Sequence, residues 1–298
     1  MKSKKVPVII FVYNRPQHTR ETVEALLKND LADQSDLTVF SDAAKNSGAA
    51  QQVQEVRDYL KTITGFKSVR IVEREENWGL AKSIIQGVTE VVNQYGKVIV
   101  LEDDIVTSPA FLQFMNQALN FYEEQKRIWH VSGWSYPIET EGLDDVFLWR
   151  AMNCWGWATW ADRWQHFEKN PTALIENWTA EQKDQFDLDG SGVFWNQVEA
   201  NAAGKINTWA IFWYATIFQN HGLCLNPAVS YVDNIGHDGS GVNCGSQGLD
   251  EIKLSKRNYV SMPDAVDENK VAVDRIKIYF NPSFLLRIKR KVLSYVLG

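Results

Sequence analysis

Short apolar runs alternate with amphipathic stretches over roughly the first hundred residues. Runs typical of strands occupy residues 6–13, 37–40, 68–72 and 98–101. Between these runs, apolar side chains recur at helical spacing over residues 19–28, 49–63 and 77–92. Strands separated by amphipathic helices predict an α/β fold, with a mostly parallel, Rossmann-like central sheet flanked by helices.

The fourth apolar run ends abruptly in three carboxylates, Glu102, Asp103 and Asp104. The run has no polar alternation, which predicts a strand buried on both faces, and its acids then emerge at the carboxyl end, where open α/β sheets bind ligands. Strand alternation predicts Glu102 and Asp104 on one side and Asp103 on the other. Such hard oxygen ligands suit Mg²⁺ or Mn²⁺. The alternative is a solvated acidic turn that caps the next helix, since residues 108–109 (Ser-Pro) are a helix-start signal.

The loops after the other three strands also carry polar side chains. Asn14 and Arg15 follow the first strand, Asp42 the second and Asn77 the third. Parallel strands bring these loops to one edge of the sheet, and their convergence predicts a ligand site. An arginine beside an acidic metal site indicates a diphosphate bridged by the cation. The sequence has neither GxxxxGK[ST] nor GxGxxG, which disfavours a P-loop or a dinucleotide fold.

Composition indicates an ordinary globular enzyme. The chain has 298 residues, 45% of them hydrophobic and 23% charged, and its net charge of −6 argues against a general nucleic-acid binder. The 3 cysteines are widely spaced, so a disulfide framework is not expected. The basic start leads into a strand-like pattern rather than a signal peptide, and no apolar run approaches the ~18 residues of a membrane span. The expected location is the cytoplasm.

Six stretches carry a family resemblance: PVIIFVYNRP, LTVFSDAAK, ENWGLAKSII, VIVLEDDIVTSPAFLQFM, CWGWATWADRW and NTWAIFWYATIFQNHGLCLNPAVSYVDNIGHDGSG. They span roughly residues 6–245 in the expected order. On these stretches the chain resembles a GT-A glycosyltransferase of the family-two-like bacterial group. It is more distantly similar to the N-acetylglucosaminyltransferase I type. The division expected is a nucleotide-sugar-binding half over residues 1–125, an acceptor and catalytic half of the same domain over 126–250, and a C-terminal extension over 251–298.

The resemblance implies a role for each loop residue. Asp104 would bind the metal, Mn²⁺ or Mg²⁺, and His237 would be a second ligand or a phosphate contact. Asp42 would hydrogen-bond the base, uracil by preference. The residues expected to contact the nucleotide sugar are Asn14, Arg15, Asp42, Asn77, Lys82, Glu102 and Asp103.

The resemblance is weakest at the general base. An inverting transfer needs a carboxylate that takes the proton of the acceptor hydroxyl. Relatives place an aspartate in or beside the segment that reads NTWAIFW here, but this chain has Asn207 and Ala210. Asp238, in the Gly-rich segment 234–248, and Glu199 are the candidate substitutes, and Asp238 is slightly favoured because its motif lies beside the donor.

The expected function is transfer of a sugar from a nucleotide sugar, by preference a UDP-sugar, to a glycan, glycolipid or glycoprotein acceptor. Most of the 12 tryptophans are expected in the core, with one or two lining the acceptor cleft. The Gly-rich segment is expected to form a lid over the donor. The missing aspartate leaves open a nucleotide-sugar-binding subunit with weak or lost catalysis. A sugar-phosphate nucleotidyltransferase is a third alternative, but the chain lacks a Gly-rich loop after its first strand.

The last segment, residues 283–298, has a basic amphipathic pattern. Apolar residues recur at helical spacing, with arginines and lysines on the other side. Such a helix can lie on the inner face of the cell membrane, attached peripherally, or pack on the catalytic domain with its charges in water. Both interpretations remain open at this point.

Overall fold

The computed structural model describes residues 5–239 and 253–281. The strands are β1 (Val8–Val12), β2 (Asp36–Ser41), β3 (Ser68–Glu73), β4 (Lys97–Glu102), β5 (Ile105–Thr107), β6 (Ile128–Ser132), β7 (Val146–Trp149), β8 (Trp157–Trp160), β9 (Leu223–Pro227) and β10 (Val232–Asn234). The helices are α1 (Pro16–Leu27), α2 (Ala50–Leu60), α3 (Gly79–Tyr95), α4 (Phe111–Phe121), α5 (Ala161–Trp164), α6 (Pro171–Asn177), α7 (Ala180–Phe186), α8 (Trp195–Ala202), α9 (Ala210–Gln219) and α10 (Lys270–Phe280).

A central sheet of 8 strands has the order β3-β2-β1-β4-β8-β6-β9-β7. Strands β3, β2, β1 and β4 are parallel to one another, and β6 is parallel to β9. Strand β8 is antiparallel to both β4 and β6, and β7 is antiparallel to β9. A separate two-stranded sheet pairs β5 with β10. The predicted mostly parallel α/β sheet with flanking helices is therefore confirmed.

The four strands and three helices predicted for the first hundred residues are all present, with boundaries that differ by up to three residues. Hydrophobic burial explains why this half folds as its pattern indicates, since every residue of β1 is buried and the apolar run of β4 is 0% exposed. Each such side chain contributes about 1.5–3 kcal/mol. Gly87 lets α3 pack directly on the sheet, because a Cβ there would lie 2.7 Å from the ring of Phe11.

Tryptophans fill the core between the second half of the sheet and its helices. The ring of Trp157 on β8 stacks on Trp209, with centroids 5.0 Å apart. Trp164 on α5 packs at 4.9 Å against Trp213 on α9. All four are at most 3% exposed. The expectation that most tryptophans belong to the core is confirmed.

A neutral histidine is built into this aromatic core. His130 is 0% exposed, and burial lowers its pKa to about 3. Its Nδ1 accepts a hydrogen bond from Nε1 of Trp213 at 3.2 Å, and its Nε2 lies 3.0 Å from the carbonyl oxygen of Asn153. Because a carbonyl only accepts, Nε2 must carry the proton. Both ring nitrogens are thus satisfied without a charge.

Helix α10 packs on β7 near the end of the described chain. No helix within residues 5–239 and 253–281 is long and apolar enough to cross a membrane. The predicted amphipathic segment at residues 283–298 lies outside the described residues, as does the predicted lid beyond Gly239. The division at residues 125 and 250 stays a prediction.

Candidate active site

Arg15 binds two buried carboxylates where the neighbouring parallel strands β1 and β4 end. Its Nε donates to Oδ2 of Asp103 at 3.2 Å, and its Nη2 donates to Oδ1 of the same residue. Nη2 also donates to Oδ2 of Asp104 at 2.8 Å. Both aspartates are 5% exposed. The three side chains form a buried ion cluster at the carboxyl edge of the sheet, here called the acidic cluster together with Glu102.

The predicted alternation of the three acids is wrong. β4 ends at Glu102, and Asp103 and Asp104 form a turn into β5. Since the chain leaves the extended conformation there, both aspartates reach one guanidinium instead of opposite faces. The alternative of a solvated acidic turn is also wrong, because both aspartates are buried and paired.

Burial sets the charge of the acidic cluster. Desolvation, and then the charges of Asp104 and Asp103, raise the pKa of Glu102 to about 8. Desolvation disfavours the charged form of Arg15, but its hydrogen bonds and charge contacts with Asp103 and Asp104 outweigh this and raise its pKa. Arg15 therefore stays positively charged between the two aspartates of the acidic cluster. The raised pKa favours the protonated form of Glu102 near neutral pH, and a protonated carboxyl can donate a hydrogen bond to a hydroxyl or phosphate oxygen.

One face of α1 is turned toward the acidic cluster. Oγ1 of Thr22 donates to the backbone oxygen of Asp103 at 2.9 Å, and Oγ1 of Thr19 donates to the backbone oxygen of Arg15 at the same distance. His18 follows Arg15 by three residues in sequence, a spacing that puts both on the same side of the helix. Sequence reasoning missed His18, although this spacing from Arg15 was a signal that would have found it.

A 3₁₀ turn, Ile235–Asp238, closes over the cluster from the end of β10. It is held in place because Ile235 N donates to the backbone oxygen of Asp104 at 2.9 Å. Gly236 sits directly against the cluster: a Cβ there would collide with Oδ2 of Asp104 and lie 3.1 Å from Nη1 of Arg15. The pairing of β10 with β5 thus brings residues more than a hundred positions from Asp104 to its side.

Asp238, the candidate base, and His237, the candidate metal ligand, both lie on this turn but contact different residues. Oδ2 of Asp238 lies 3.2 Å from Nε2 of His18, and the Asp238 side chain is 50% exposed. The ring of His237 meets the edge of Trp155, with centroids 5.3 Å apart. Asp238 is therefore held at the site by α1 while half of its side chain faces solvent.

Asp42 anchors the loop that precedes α3. Its Oδ1 accepts from Ala43 N at 3.0 Å and from Trp78 N at 2.9 Å. Its Oδ2 accepts from Gly79 N at 2.9 Å and from Nδ2 of Asn77 at 3.1 Å. Four protein donors thus occupy the four lone-pair positions of this buried carboxylate. The structure gives Asp42 a role in positioning this loop, and its contact with a base stays a prediction.

Two further candidates lie on either side of this loop. Nζ of Lys82 sits 4.3 Å above the ring of Trp78, and Arg74 lies 3.9 Å from the same ring. Nδ2 of Asn14 donates to Oε1 of Gln52 on α2 at 3.3 Å. Lys82 is exposed and Asn14 half-buried. Both therefore keep contact with solvent at the sheet edge where the cluster lies.

Glu199 is not brought to the acidic cluster. It is exposed on α8, where its Oε1 accepts from Nε1 of Trp195 at 2.9 Å, and no contact within the described part of the chain joins it to Asp104. Asn207, in the segment where relatives carry an aspartate, accepts a hydrogen bond from Lys169. Of the two candidate bases, only Asp238 lies beside α1 and the cluster.

Trp155 forms an aromatic wall next to the 3₁₀ turn. It comes just before β8, the hydrogen-bonded neighbour of β4, and it is half-buried. Its ring packs edge-on against Trp134, with centroids 4.7 Å apart. Nε1 of Trp134 is buried and has no hydrogen-bond partner among the residues that the structure describes. The half-buried ring of Trp155 leaves an aromatic surface of the kind that can stack on a sugar ring.

Comparison with known proteins adds a family. Residues 8–132 match the family described as glycosyl transferase family 2. No curated protein sequence gives a match. Among solved structures, the chain is similar to S. aureus TarS, with a TM-score of 0.31 and 20% identity, over 43% of this chain and 21% of that chain. It is also similar to the mannosyltransferase PcManGT from Pyrobaculum calidifontis in complex with GDP-Man and Mn²⁺, with a TM-score of 0.40 and 13% identity, over 73% of this chain and 69% of that one.

The chain thus spans only 21% of the length of TarS, and both structural likenesses are distant. The family match covers β1 to β4, the acidic cluster and α1. These elements form the edge of the sheet where the acidic cluster lies. Residues 8–132, which are less than half of the chain, are thus similar to glycosyl transferase family 2.

Proposed function

We propose that this protein is a metal-dependent, inverting glycosyltransferase that moves a sugar from a UDP-sugar to a glycan, glycolipid or glycoprotein acceptor. The observation that carries the proposal is the buried acidic cluster, with Arg15 bound to Asp103 and Asp104, at the carboxyl edge of the parallel strands. The Asp238–His18 pair lies on the adjoining turn. Helix α1 thus begins next to Arg15, which would bind the donor, and carries His18, which contacts the candidate base Asp238.

The residues present fit a divalent cation that shares its ligands with the donor. Carboxylate oxygens are the ligands that Mg²⁺ and Mn²⁺ prefer. No three His, Cys, Asp or Glu side chains within residues 5–239 and 253–281 are grouped so as to hold a metal by themselves. Mg²⁺ sites with one or two carboxylates are completed by phosphate oxygens. Asp104, with His237 nearby, would therefore hold the ion together with the donor diphosphate, and the ion would neutralise charge on the leaving group.

Side chains of the protein would carry out the other steps of the proposed reaction. Asn14, Arg15 and Lys82 would bind the donor along the sheet edge, and Glu102, whose pKa is raised by burial, would donate to a hydroxyl. Trp155 would support the acceptor sugar. Asp238 would take the proton from the acceptor hydroxyl as that oxygen attacks the anomeric carbon and the diphosphate leaves. His18 would hold Asp238 in place for that transfer.

A screen of nucleotide sugars tests the proposal. The full chain is mixed with UDP- and GDP-sugars and Mn²⁺, and both binding and slow donor hydrolysis are measured. Binding with hydrolysis supports the enzyme. Binding without hydrolysis or transfer favours the alternative, a nucleotide-sugar-binding subunit, for which the carboxylate-free segment around Asn207 is the motive. Absence of binding to every nucleotide sugar would contradict the proposed function.

Asp238→Asn is expected to lower kcat about 10²–10⁴-fold, the usual contribution of a general base, while donor affinity changes little. Asparagine keeps the shape of the side chain but cannot take a proton. Steady-state kinetics and donor titration separate the two effects. Glu199→Gln is the matched control, because Glu199 is exposed and joined to Trp195 on its own helix. A large loss in Glu199→Gln with normal Asp238→Asn would move the base to Glu199.

We also propose that residues 283–298 hold the enzyme peripherally on the inner face of the cell membrane. The basic amphipathic sequence pattern supports this proposal. The full chain is expected to sediment with anionic vesicles at low salt, and less at high salt, while a chain ending at Pro282 stays in solution. Equal sedimentation of both chains would leave ordinary packing as the role of this segment.

A further inference from the structure

Arg15 occupies most of the oxygens that a metal ion would use. It binds both oxygens of Asp103 and Oδ2 of Asp104, which are three of the four carboxylate oxygens of the pair. The backbone of Gly236 packs against the same Oδ2. Only Oδ1 of Asp104 has no bond to the guanidinium. A cation that needs more than this oxygen has to displace Arg15 from the aspartates.

Charge balance explains why Arg15 would leave the aspartates when metal and donor bind together. A divalent cation arriving alone would add two positive charges beside a guanidinium that is itself buried, which is unfavourable at short distance. A diphosphate arriving alone would add negative charge beside two aspartates. Together, the cation and the one charge on each phosphate cancel, so that the charge of the site is unchanged. Electrostatics therefore favours joint binding of metal and donor.

One nitrogen of the Arg15 guanidinium also has an unused N–H group. Nη1 of Arg15 is buried and has no hydrogen-bond partner among the described residues. An unsatisfied buried N–H is costly, and a phosphate oxygen is an acceptor that would satisfy it. The bidentate geometry of a guanidinium suits phosphate as well as carboxylate.

We infer that Arg15 is an exchangeable counter-cation: it neutralises Asp103 and Asp104 in the free enzyme and moves to the donor diphosphate when metal and donor bind. This inference rests on the proposed function and adds to it an order of events. Arg15 keeps the aspartates from taking up a metal ion alone, and the diphosphate draws the guanidinium off them. Metal and donor affinities are thereby coupled through one side chain.

The test measures the two affinities separately in Arg15→Gln. Binding of Mn²⁺ alone to the full chain is followed by electron paramagnetic resonance, and binding of UDP at saturating Mn²⁺ by calorimetry. Mn²⁺ binding without nucleotide is expected to tighten roughly 10- to 100-fold, as expected for loss of competing charge-assisted hydrogen bonds. UDP binding is expected to weaken about 10-fold or more. A residue with a purely structural role would weaken both.

Arg20→Gln is the control, an exposed arginine on the same helix that lies over Tyr59, and it should leave both affinities within about 2-fold of the wild type. Unchanged or weaker Mn²⁺ binding in a folded Arg15→Gln would overturn the inference, as would unchanged UDP binding. If Arg15→Gln does not fold, Arg15→Lys replaces it. Mn²⁺ alone should then raise the Tm of Arg15→Lys more than it raises the Tm of the wild type. An equal rise in both proteins overturns the inference. A wild type that binds no nucleotide would overturn the proposed function and the move of Arg15 to a diphosphate. Tighter Mn²⁺ binding by Arg15→Gln would in that case still support the first half of the inference, that Arg15 keeps a metal ion off the aspartates.

Discussion

Asp104→Asn is expected to abolish measurable sugar transfer. The substitution keeps the shape of the side chain and removes the charge of the proposed ligand that would hold the metal ion against the donor diphosphate. Losing one hard ligand should cost about 3–5 kcal/mol of transition-state stabilisation, which is roughly a 10²–10⁴-fold loss of kcat/KM. The measurement is kcat/KM with Mn²⁺ present, and again in excess chelator, where the wild type should lose activity to a similar extent.

Asp33→Asn is the matched control for this loss, because Asp33 is exposed on the turn before β2 and should leave kcat/KM unchanged. A Tm close to that of the wild type would show that Asp104→Asn is folded. Full turnover of the wild type in excess chelator would contradict metal dependence. Normal activity of Asp104→Asn would remove Asp104 from the site.

Arg163→Met is expected to lower the free energy of unfolding much more than a substitution at a surface ion pair does. Arg163 is 2% exposed, and its guanidinium binds four backbone carbonyls where α4 leads into β6. Methionine fills much of the volume but donates no hydrogen bonds, so these carbonyls lose their partner. The free energy of unfolding should fall by about 3–5 kcal/mol. Denaturant unfolding followed by circular dichroism measures the change.

Arg70→Met provides the contrast. Arg70 is half-exposed and pairs with Glu90 on the surface, so its loss should cost at most about 1 kcal/mol. Equal midpoints for Arg163→Met and Arg70→Met would show that the buried guanidinium adds no more than a surface ion pair.

The parallel half of the sheet was predictable from local pattern alone. Strands β1 and β4 are continuous apolar runs, β2 and β3 are rich in β-branched residues, and α1 to α3 repeat their apolar residues at helical spacing. Because parallel strands end at one edge, Arg15 and the acidic residues could be placed together before the structure was known. Both inferences rest on periodicity and on a general property of parallel sheets.

The contacts that complete the site depend on long-range pairing. Asp238 reaches His18 only because β10 pairs with β5 and the 3₁₀ turn then folds back over Asp104. The turn at Asp103 replaced the expected strand alternation, since pairing with Arg15 offsets the cost of burying both acids. Neither effect leaves a periodic trace in the sequence.

The hydrogen bonds to Asp42 were equally hidden. A lone aspartate after a strand fits a base contact or a turn. Its buried position beside the backbone of Trp78 and Gly79 shows that it also holds the start of α3. Only the three-dimensional count of donors reveals that role.

The position of β8 has a consequence for how the chain folds. β8 lies between β4 and β6, and it comes after both in sequence. The segment that matches the family, residues 8–132, therefore contains two strands whose shared neighbour it lacks. Until residue 160 has been synthesised, the β4 backbone presents an unpaired edge, which is an aggregation hazard. The sheet that begins in residues 8–132 is thus completed only by a strand from the following part of the chain.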